Sequence, residues 1–502
     1  MKKEKVVVIG AGLGGLSAAI SARAAGFEVE VFEKNEHIGG KLNVRSIDGY
    51  TFDLGPSIFT LPQIFRDLFA RAGRKFEDYV TLERVTPQWR NFFEDGSVID
   101  LHEDMALMKQ ELAKLPGDLE THWKEFQHFL DYGREQYAAV DGGYFEKGLD
   151  NTWEMIRHYG FFGLMRKMDW KDSMDTAIAK RIHDPKMRMI MEYFIKYVGS
   201  SALDSPGYMN MMSLIQFDHG LWYVKDGMYS LAEGLGRLMK EMGIQVHLGT
   251  GVGKISRNGR QVTGVILEDG RTISADHVIS NMEVIPAHQD LLDAPAARQK
   301  KLEKFAPACS GLVIHLGTDR EYPQLAHHNF FYSKNQRKHF DSVFHKGLLP
   351  EDPTIYLVAP TRTDPTKAPT GGDNIKVLPH IPPIDPEHPL TEEDYHRMKE
   401  RVLEKLERMG LTDLRKHTVV EDVLTPLDIR QMYRSNRGAI YGVVTDWKLN
   451  KGFKAPKEAK DYDNLYFVGG SVNPGGGMPM VVLSGMKACD RLIHRHGRPV
   501  AS

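Results

Sequence analysis

Cysteine is scarce in this chain of 502 residues: Cys309 and Cys489 are the only two, far apart in sequence. That excludes a disulfide scaffold and a CxxC redox centre, and it suits a reducing cytoplasm. Excess charge of either sign is also missing. Lys and Arg number 65 against 67 Asp and Glu, a net charge of -2, so no global field favours nucleic acid. No HExxH, facial-triad or CxxC pattern marks a metal oxygenase. Long apolar runs are absent too, and none reaches the ~18–20 residues that a spanning helix needs. One stretch comes near. Met1 to Lys5 is basic, Val6 to Ala22 is uncharged, and small residues follow, as in a secretory signal. Glycines at 10, 12, 14 and 15 stand where such a segment wants leucines, and the same residues serve a phosphate loop better. The 41% apolar and 26% charged content is that of a folded protein, and the length argues for more than one lobe.

Val6-Val7-Val8-Ile9 predicts a buried parallel strand. Gly10 then permits a tight turn, Gly12 lets backbone approach a pyrophosphate, Gly14 continues the loop, and Gly15 lets the next helix pack close to the sheet. Leu16 to Ala25 reads as that helix, its first amides facing phosphate. Val29 to Phe32 is a second strand, and Glu33 at its end suits ribose hydroxyls. Strand, glycines, helix, strand and acid in order form a dinucleotide fingerprint far more specific than a lone GxGxxG. Gly39-Gly40-Lys41 follows: two glycines bring backbone near a diphosphate, and Lys41 supplies a counter-charge.

Tyr50 to Ser57 predicts a strand ending in a turn at Gly55, Pro56 and Ser57. From Leu61 to Phe217 the chain reads as helical and irregular. Methionines and aromatics cluster there, at Tyr159–Met165, Met187–Tyr197 and Tyr208–Phe217, as a core or as a tunnel for an apolar substrate. Lys167, Lys171, Lys180 and Arg181 lie near the first cluster and could meet anionic lipid or simply water. Nucleotide-domain elements resume with strands at Leu221–Val224 and Ile244–Leu248, a helix over Met228–Met242 between them, and hairpins from Val252 to Ile273 turning at Asn258-Gly259 and Asp269-Gly270. Asp276 to Ser280 leads to Asn281. A second substrate stretch, Glu283 to Asp428, carries several strands and a charged helix over Thr391–Met409. The paired His327-His328 are not expected to share a metal, since neighbours on a strand point to opposite faces. Finally, strand Asn464–Val468 runs into a glycine loop, Gly469 to Met480, before a helix over Val481–His494. Gly470, Ser471, Met478 and Pro479 of that loop are candidates for a second cofactor anchor.

Segments along nearly the whole chain, among them Phe52–Ser57, Phe194–Ser201, Ile279–Pro286, Gln324–Phe331, Tyr433–Tyr441 and Val468–Met480, resemble the carotenoid desaturase-type flavoenzymes of the flavin amine oxidase superfamily. The resemblance implies an α/β fold, with an FAD-binding Rossmann-like domain, a mixed-sheet substrate domain and a helical cap. The expected FAD-binding domain is discontinuous, over residues 1–60, 218–282 and 429–502. Residues 61–217 supply the cap and part of the substrate domain, and 283–428 the remainder. FAD is the implied cofactor. Gly39-Gly40-Lys41 extends its fingerprint, Tyr50–Ser57 passes close to the flavin ring, and Val252 touches the adenine through its backbone. Asn473-Pro474 followed by three glycines and Met-Pro-Met points to the branch that oxidises a terminal methyl of a linear thirty-carbon carotenoid to an aldehyde. A desaturase that only removes hydrogens remains the alternative, and a non-catalytic prenyl-binding protein of the same fold is the alternative of another class. The implied partners are an apolar carotenoid and, by peripheral contact, the cytoplasmic membrane. A hydrocarbon offers no hydrogen-bond handle, so no catalytic residue is predicted.

Overall fold

Residues 4–160, 162–163 and 167–495 are described in a computed structural model; Phe161, Leu164 and Met165 of the first aromatic cluster lie outside them. The β-branched run Lys5–Ile9 sits at the centre of a five-stranded, wholly parallel sheet. Its order is Leu465–Phe467, His277–Ser280, Lys5–Ile9, Glu28–Phe32 and Gln245–His247. Burial on both faces explains the near-continuous valines. Helix Leu13–Ala24 packs on this sheet beside helix Met478–Arg495. Their closeness rests on small residues: a Cβ at Gly485 would meet Ala18 N and Ser17 Cβ at 2.8 Å, and the Ser17 hydroxyl donates to Val482 O at 2.6 Å. The C-terminal helix starts at Met478 rather than Val481, because Pro479 is tolerated in a first turn, where its missing N–H has no partner to lose. The hairpin array forms a three-stranded antiparallel sheet, Val252–Asn258, Gln261–Leu267 and Thr272–Ser274, with Gly259 and Gly270 at positive φ in the turns.

The expected strand at 221–224 forms over Trp222–Val224 but outside the parallel sheet, paired with Leu82–Arg84. The stretch read as helical also contains Trp89–Phe92 and Val98–Leu101. These short strands, broken by charged residues, join the mixed sheet through a parallel pairing of Trp89–Phe92 with His328–Phe331. That sheet continues antiparallel through Ile355–Val358, Asp373–Ile381, Val313–Thr318 and Thr418–Leu424. Helix Glu392–Arg408, opened by a capping box between Thr391 and Asp394, covers one face. Its Tyr395, Met398, Val402 and Leu406 pack on Ile314, Leu316, Leu357 and Val377.

The cap is a set of helices with local N-caps. Asp118 accepts from Thr121 N, Asn151 from Glu154 N and Asp184 from Met187 N, each satisfying one of the orphan donors of a helix start. Of the four basic residues that could meet lipid or water, three have partners within the chain, Lys167 lying 5.3 Å from the centre of the Tyr159 ring. Lys180 pairs with Asp172, and the Arg181 guanidinium lies 3.6 Å from the centre of the Tyr132 ring.

Candidate functional site

A cavity of about 380 Å³ lies where the parallel sheet, the mixed sheet and the cap meet, within the range of small-molecule and cofactor sites. Gly10, Gly12, Gly14, Glu33, Gly39, Gly40, Lys41, Gly55, Pro56, Ser57, Val252, Gly470, Met478 and Pro479 all line it. Gly15 and Ser471 stand behind the wall. A Cβ at Gly15 would fall on the Gly10 carbonyl oxygen, so Gly15 permits the turn-to-helix packing, as its place in the motif predicts. The buried Ser471 hydroxyl accepts from Val284 N at 3.0 Å and holds the strand-to-helix turn after Ser280.

The nucleotide end is built by backbone approach. Gly12 and Gly39 form a parallel bridge, and Gly40 has φ +60 with its Cβ position 3.0 Å from Gly12 Cα. Gly12 is the N-cap of helix Leu13–Ala24 and offers no side-chain cap, so the first-turn amides are left for an anion. Glu33 is buried. One of its carboxylate oxygens accepts from Ala11 N at 2.7 Å and the other from Asn35 N at 2.9 Å. The Lys41 ammonium is held by other partners: it donates to Ala439 O at 2.9 Å and Ile440 O at 3.2 Å and meets Glu283 at 3.4 Å. These contacts tie the second glycine pair to the C-terminal region. An uncapped helix start, a cradle that any Cβ would fill and a carboxylate at the strand end fit the diphosphate and ribose of a dinucleotide.

Sequence reasoning missed Asn281. Its side chain lies between the two glycine loops, where a Cβ at Gly12 would meet its Nδ2 at 2.5 Å and a Cβ at Gly14 its Oδ1 at 2.6 Å. The signal available was its place directly after the fourth strand of the sheet, at the same carboxyl edge as Gly10 and Glu33.

At the other end the wall is polar and side-chain built. Lys376 donates to Gly55 O, and to the Ser57 hydroxyl at 2.9 Å. Burial pushes its pKa down to about 8 against the pull of Asp53, whose own carboxyl is raised by burial. Tyr197, Tyr356, Tyr441, Met478 and Met480 also line the cavity. From there an apolar arm runs under the cap along Val140, Tyr144, Phe145, Met209, Met211, Met212 and Ile215. The methionine-rich stretches are therefore both core and cavity wall. His327 and His328 are buried and have separate partners, Thr363 Oγ1 at 2.7 Å and Tyr356 OH at 2.9 Å.

Residues 13–493 match the family of flavin-containing amine oxidoreductases. The chain belongs to that family. It is an oxidoreductase, with FAD as the cofactor that the glycine cradle fits. It is similar to 4,4'-diapolycopene oxygenase of Methylomonas sp, 55% identical over 98% of both chains. It is also similar to 4,4'-diaponeurosporene oxygenase of Staphylococcus aureus (strain USA300), 50% identical over 98% of this chain and 99% of that one. Among solved structures, an oxidoreductase from Methanosarcina mazei shares the fold at TM-score 0.65 and 17% identity, over 97% of this flavoenzyme and 100% of that chain.

Proposed function

We propose that this flavoenzyme oxidises the terminal methyl group of a linear thirty-carbon carotenoid to an aldehyde. The observation that carries the reading is the continuity of one cavity, from the glycine cradle to a methionine- and aromatic-lined arm. It is supported by relatives named for 4,4'-diapocarotenoid oxygenation at about half identity over nearly their whole length. Bound FAD supplies the redox chemistry that protein side chains lack. The residues that would hold it are Gly10, Gly12, Gly14, Glu33, Gly39, Gly40, Lys41, Val252 and Asn281 at the nucleotide end, and Gly55–Ser57 with Gly470, Met478 and Pro479 at the ring end. The arm binds hydrocarbon by apolar contact and keeps water out. Lys376 fixes the Gly55–Ser57 turn that forms one side of the reaction end. The test is incubation with a linear thirty-carbon carotenoid, FAD and oxygen, read by mass spectrometry. One oxygen gained and two hydrogens lost per aldehyde is the expected change. Loss of hydrogens alone makes the protein a desaturase and overturns the reading.

We further propose peripheral docking on the cytoplasmic membrane. No helix among the described residues is long and apolar enough to cross one. Trp153 and Phe162 of the cap are each 80% exposed, with Arg157, His158 and Lys167 also exposed around them. The segment follows directly on Val140–Phe145 of the cavity wall. Exposed aromatic side chains on a segment that also exposes Arg157 and Lys167 suit an anionic lipid surface. Flotation with anionic liposomes should recover the protein and Trp153→Ala should lower the bound fraction severalfold; an unchanged fraction refutes this face.

A further inference from the structure

The reaction end of the cavity contains more hydrogen-bonding capacity than a hydrocarbon can use. Tyr356 lines the cavity, and its hydroxyl meets His328 Nδ1 at 2.9 Å. The His328 ring is fully buried and stacked on Trp89 at 4.9 Å. Its Nε2 has no hydrogen-bond partner among the described residues. Behind the rings of Tyr356 and Tyr197 sits the amine of Lys196, 2% exposed and likewise without a partner among the described residues. It lies 3.8 Å from the centre of the Tyr356 ring, 3.9 Å from that of Trp89 and 4.2 Å from that of Phe330. Packing alone does not ask for these groups. A methionine would fill the aromatic box without desolvating an amine, and a phenylalanine at 356 would present the same face to a polyene.

We propose that Tyr356 and His328, backed by Lys196, form a polar subsite that holds the oxygen of a chain end already oxidised once, an alcohol- or aldehyde-terminated polyene. The proposal deepens the function proposed above and rests on it. Oxidation of a methyl group to an aldehyde passes the alcohol level, so the site must keep an end that first donates a hydrogen bond and later only accepts one. The Tyr356–His328 pair can serve both. With Nδ1 accepting the phenolic proton, the Tyr356 oxygen accepts from an alcohol. With Nδ1 protonated and donating to that oxygen, the phenol donates to an aldehyde. A tautomer is set by the bond that the other ring nitrogen makes, and at His328 that nitrogen is unpartnered, so the choice follows the ligand. Burial keeps His328 neutral, its pKa held well below the usual imidazole range, and burial likewise lowers that of Lys196. The Tyr356–His328 pair therefore adds hydrogen-bond capacity without fixed charge beside the polyene.

The experiment compares binding of a linear thirty-carbon polyene with that of the same polyene carrying a terminal hydroxyl, by quenching of tryptophan fluorescence in the FAD-loaded protein. Wild type should favour the alcohol by about tenfold, the scale of one buried hydrogen bond. Tyr356→Phe and Tyr356→Leu should each bring that ratio to about one, and in turnover each should release alcohol where wild type releases aldehyde. Two variants are used so that misfolding of one leaves the other to decide. Equal affinities in wild type, or a preference that survives in a folded variant, overturns the subsite. A wild-type preference for the alcohol, lost in the variants, from an enzyme that consumes no hydrocarbon upholds the subsite and refutes the function proposed above.

Discussion

Around the glycine loops the cavity is shaped by backbone, with Gly12, Gly39 and Gly40 in mutual approach and Asn281 wedged between the first glycine loop and Gly469. Around Tyr356 and Lys376 it is shaped by buried side chains on the paired strands Ile355–Val358 and Asp373–Ile381. The first wall has no slack, because every atom added meets main chain or a held amide. The second is a set of separable contacts whose loss should alter selectivity before it alters folding. The sharpest test of that difference is at the cradle. Gly12→Val places its Cβ 2.5 Å from Asn281 Nδ2 and its branches in the space needed by a diphosphate, so flavin occupancy should fall nearly to zero. Gly26, at positive φ with open space around its Cβ position, is the control: Gly26→Asn, which tolerates that backbone, should keep wild-type occupancy. The flavin-to-protein absorbance ratio reads both. A folded Gly12→Val protein with full occupancy would break the comparison.

The same contrast explains what the sequence revealed. Three strands of the parallel sheet carry short apolar runs, the strands Glu28–Phe32 and Gln245–His247 alternate polar with apolar residues, and the fingerprint glycines act within a single βαβ unit, so local pattern was enough. The exception there is Asn281, polar and unremarkable in sequence, which matters only because the fourth strand ends beside the first. The second wall was hardly legible. Lys376 lies in an otherwise apolar strand run, Ile375 to Leu378, and nothing local tells whether its side chain turns toward water or toward Ser57. Lys196 and His328 meet only because Trp89–Phe92, a strand too short and too charged to read, pairs in parallel with His328–Phe331. Tyr441 sits at the end of a loop whose position is set by the second glycine stretch, where a Cβ at Gly470 would lie 3.0 Å from Tyr441 O. Tertiary pairing, not propensity, places these residues.

The cap is held to the cofactor loop by a buried ionic knot, which defines where the separable behaviour stops. Asp150 pairs with fully buried Lys457 and with Arg491 at 3.1 Å, and its carbonyl accepts from Asn473 Nδ2 at 3.1 Å. Asp150→Ala leaves buried positive charge without its partner, which costs about 3–5 kcal/mol. The melting temperature should fall by several degrees, with the flavin released in the same transition. A change of less than a degree would mean that the cap and the loop are not coupled through this residue.

Lys454, next to that knot, gives a pH-dependent effect. It donates to Thr445 Oγ1 at 2.6 Å and to Val443 O, and burial lowers its pKa from 10.5 to about 7. Between those values the unfolded chain holds the proton and the folded one releases it. The unfolded state therefore binds more protons, and stability rises with pH across the window, by at most about 1.4 kcal/mol per unit. The penalty is full below about pH 7. Lys454→Met should raise stability at pH 6 and flatten the rise between pH 7 and 10 in urea titrations. A wild-type curve that does not rise there, or a variant as steep as wild type, contradicts the assignment.

The smallest expected effect is on product choice, at the junction of the two walls. Met478 opens the C-terminal helix, is 4% exposed and lines the cavity with Met480. A tunnel that stops at these methionines presents a terminal methyl to the ring end, whereas a deeper one presents an internal carbon. Met478→Ala removes flexible apolar bulk at a position where alanine is a good helix former, so the chain can slide inward. The fraction of desaturated product should rise a few-fold at the expense of aldehyde, with flavin occupancy kept. Gly476→Ala acts from the other direction. Its Cβ would fall on Tyr441 O, pushing Tyr441 into the cavity and shortening the tunnel, so total turnover should drop without a gain in desaturation. Both products are quantified separately against flavin content. If rate, occupancy and product ratio stay at wild-type values in both variants, depth at this loop does not decide between oxygenation and desaturation, and the control must lie with the polar wall around Tyr356.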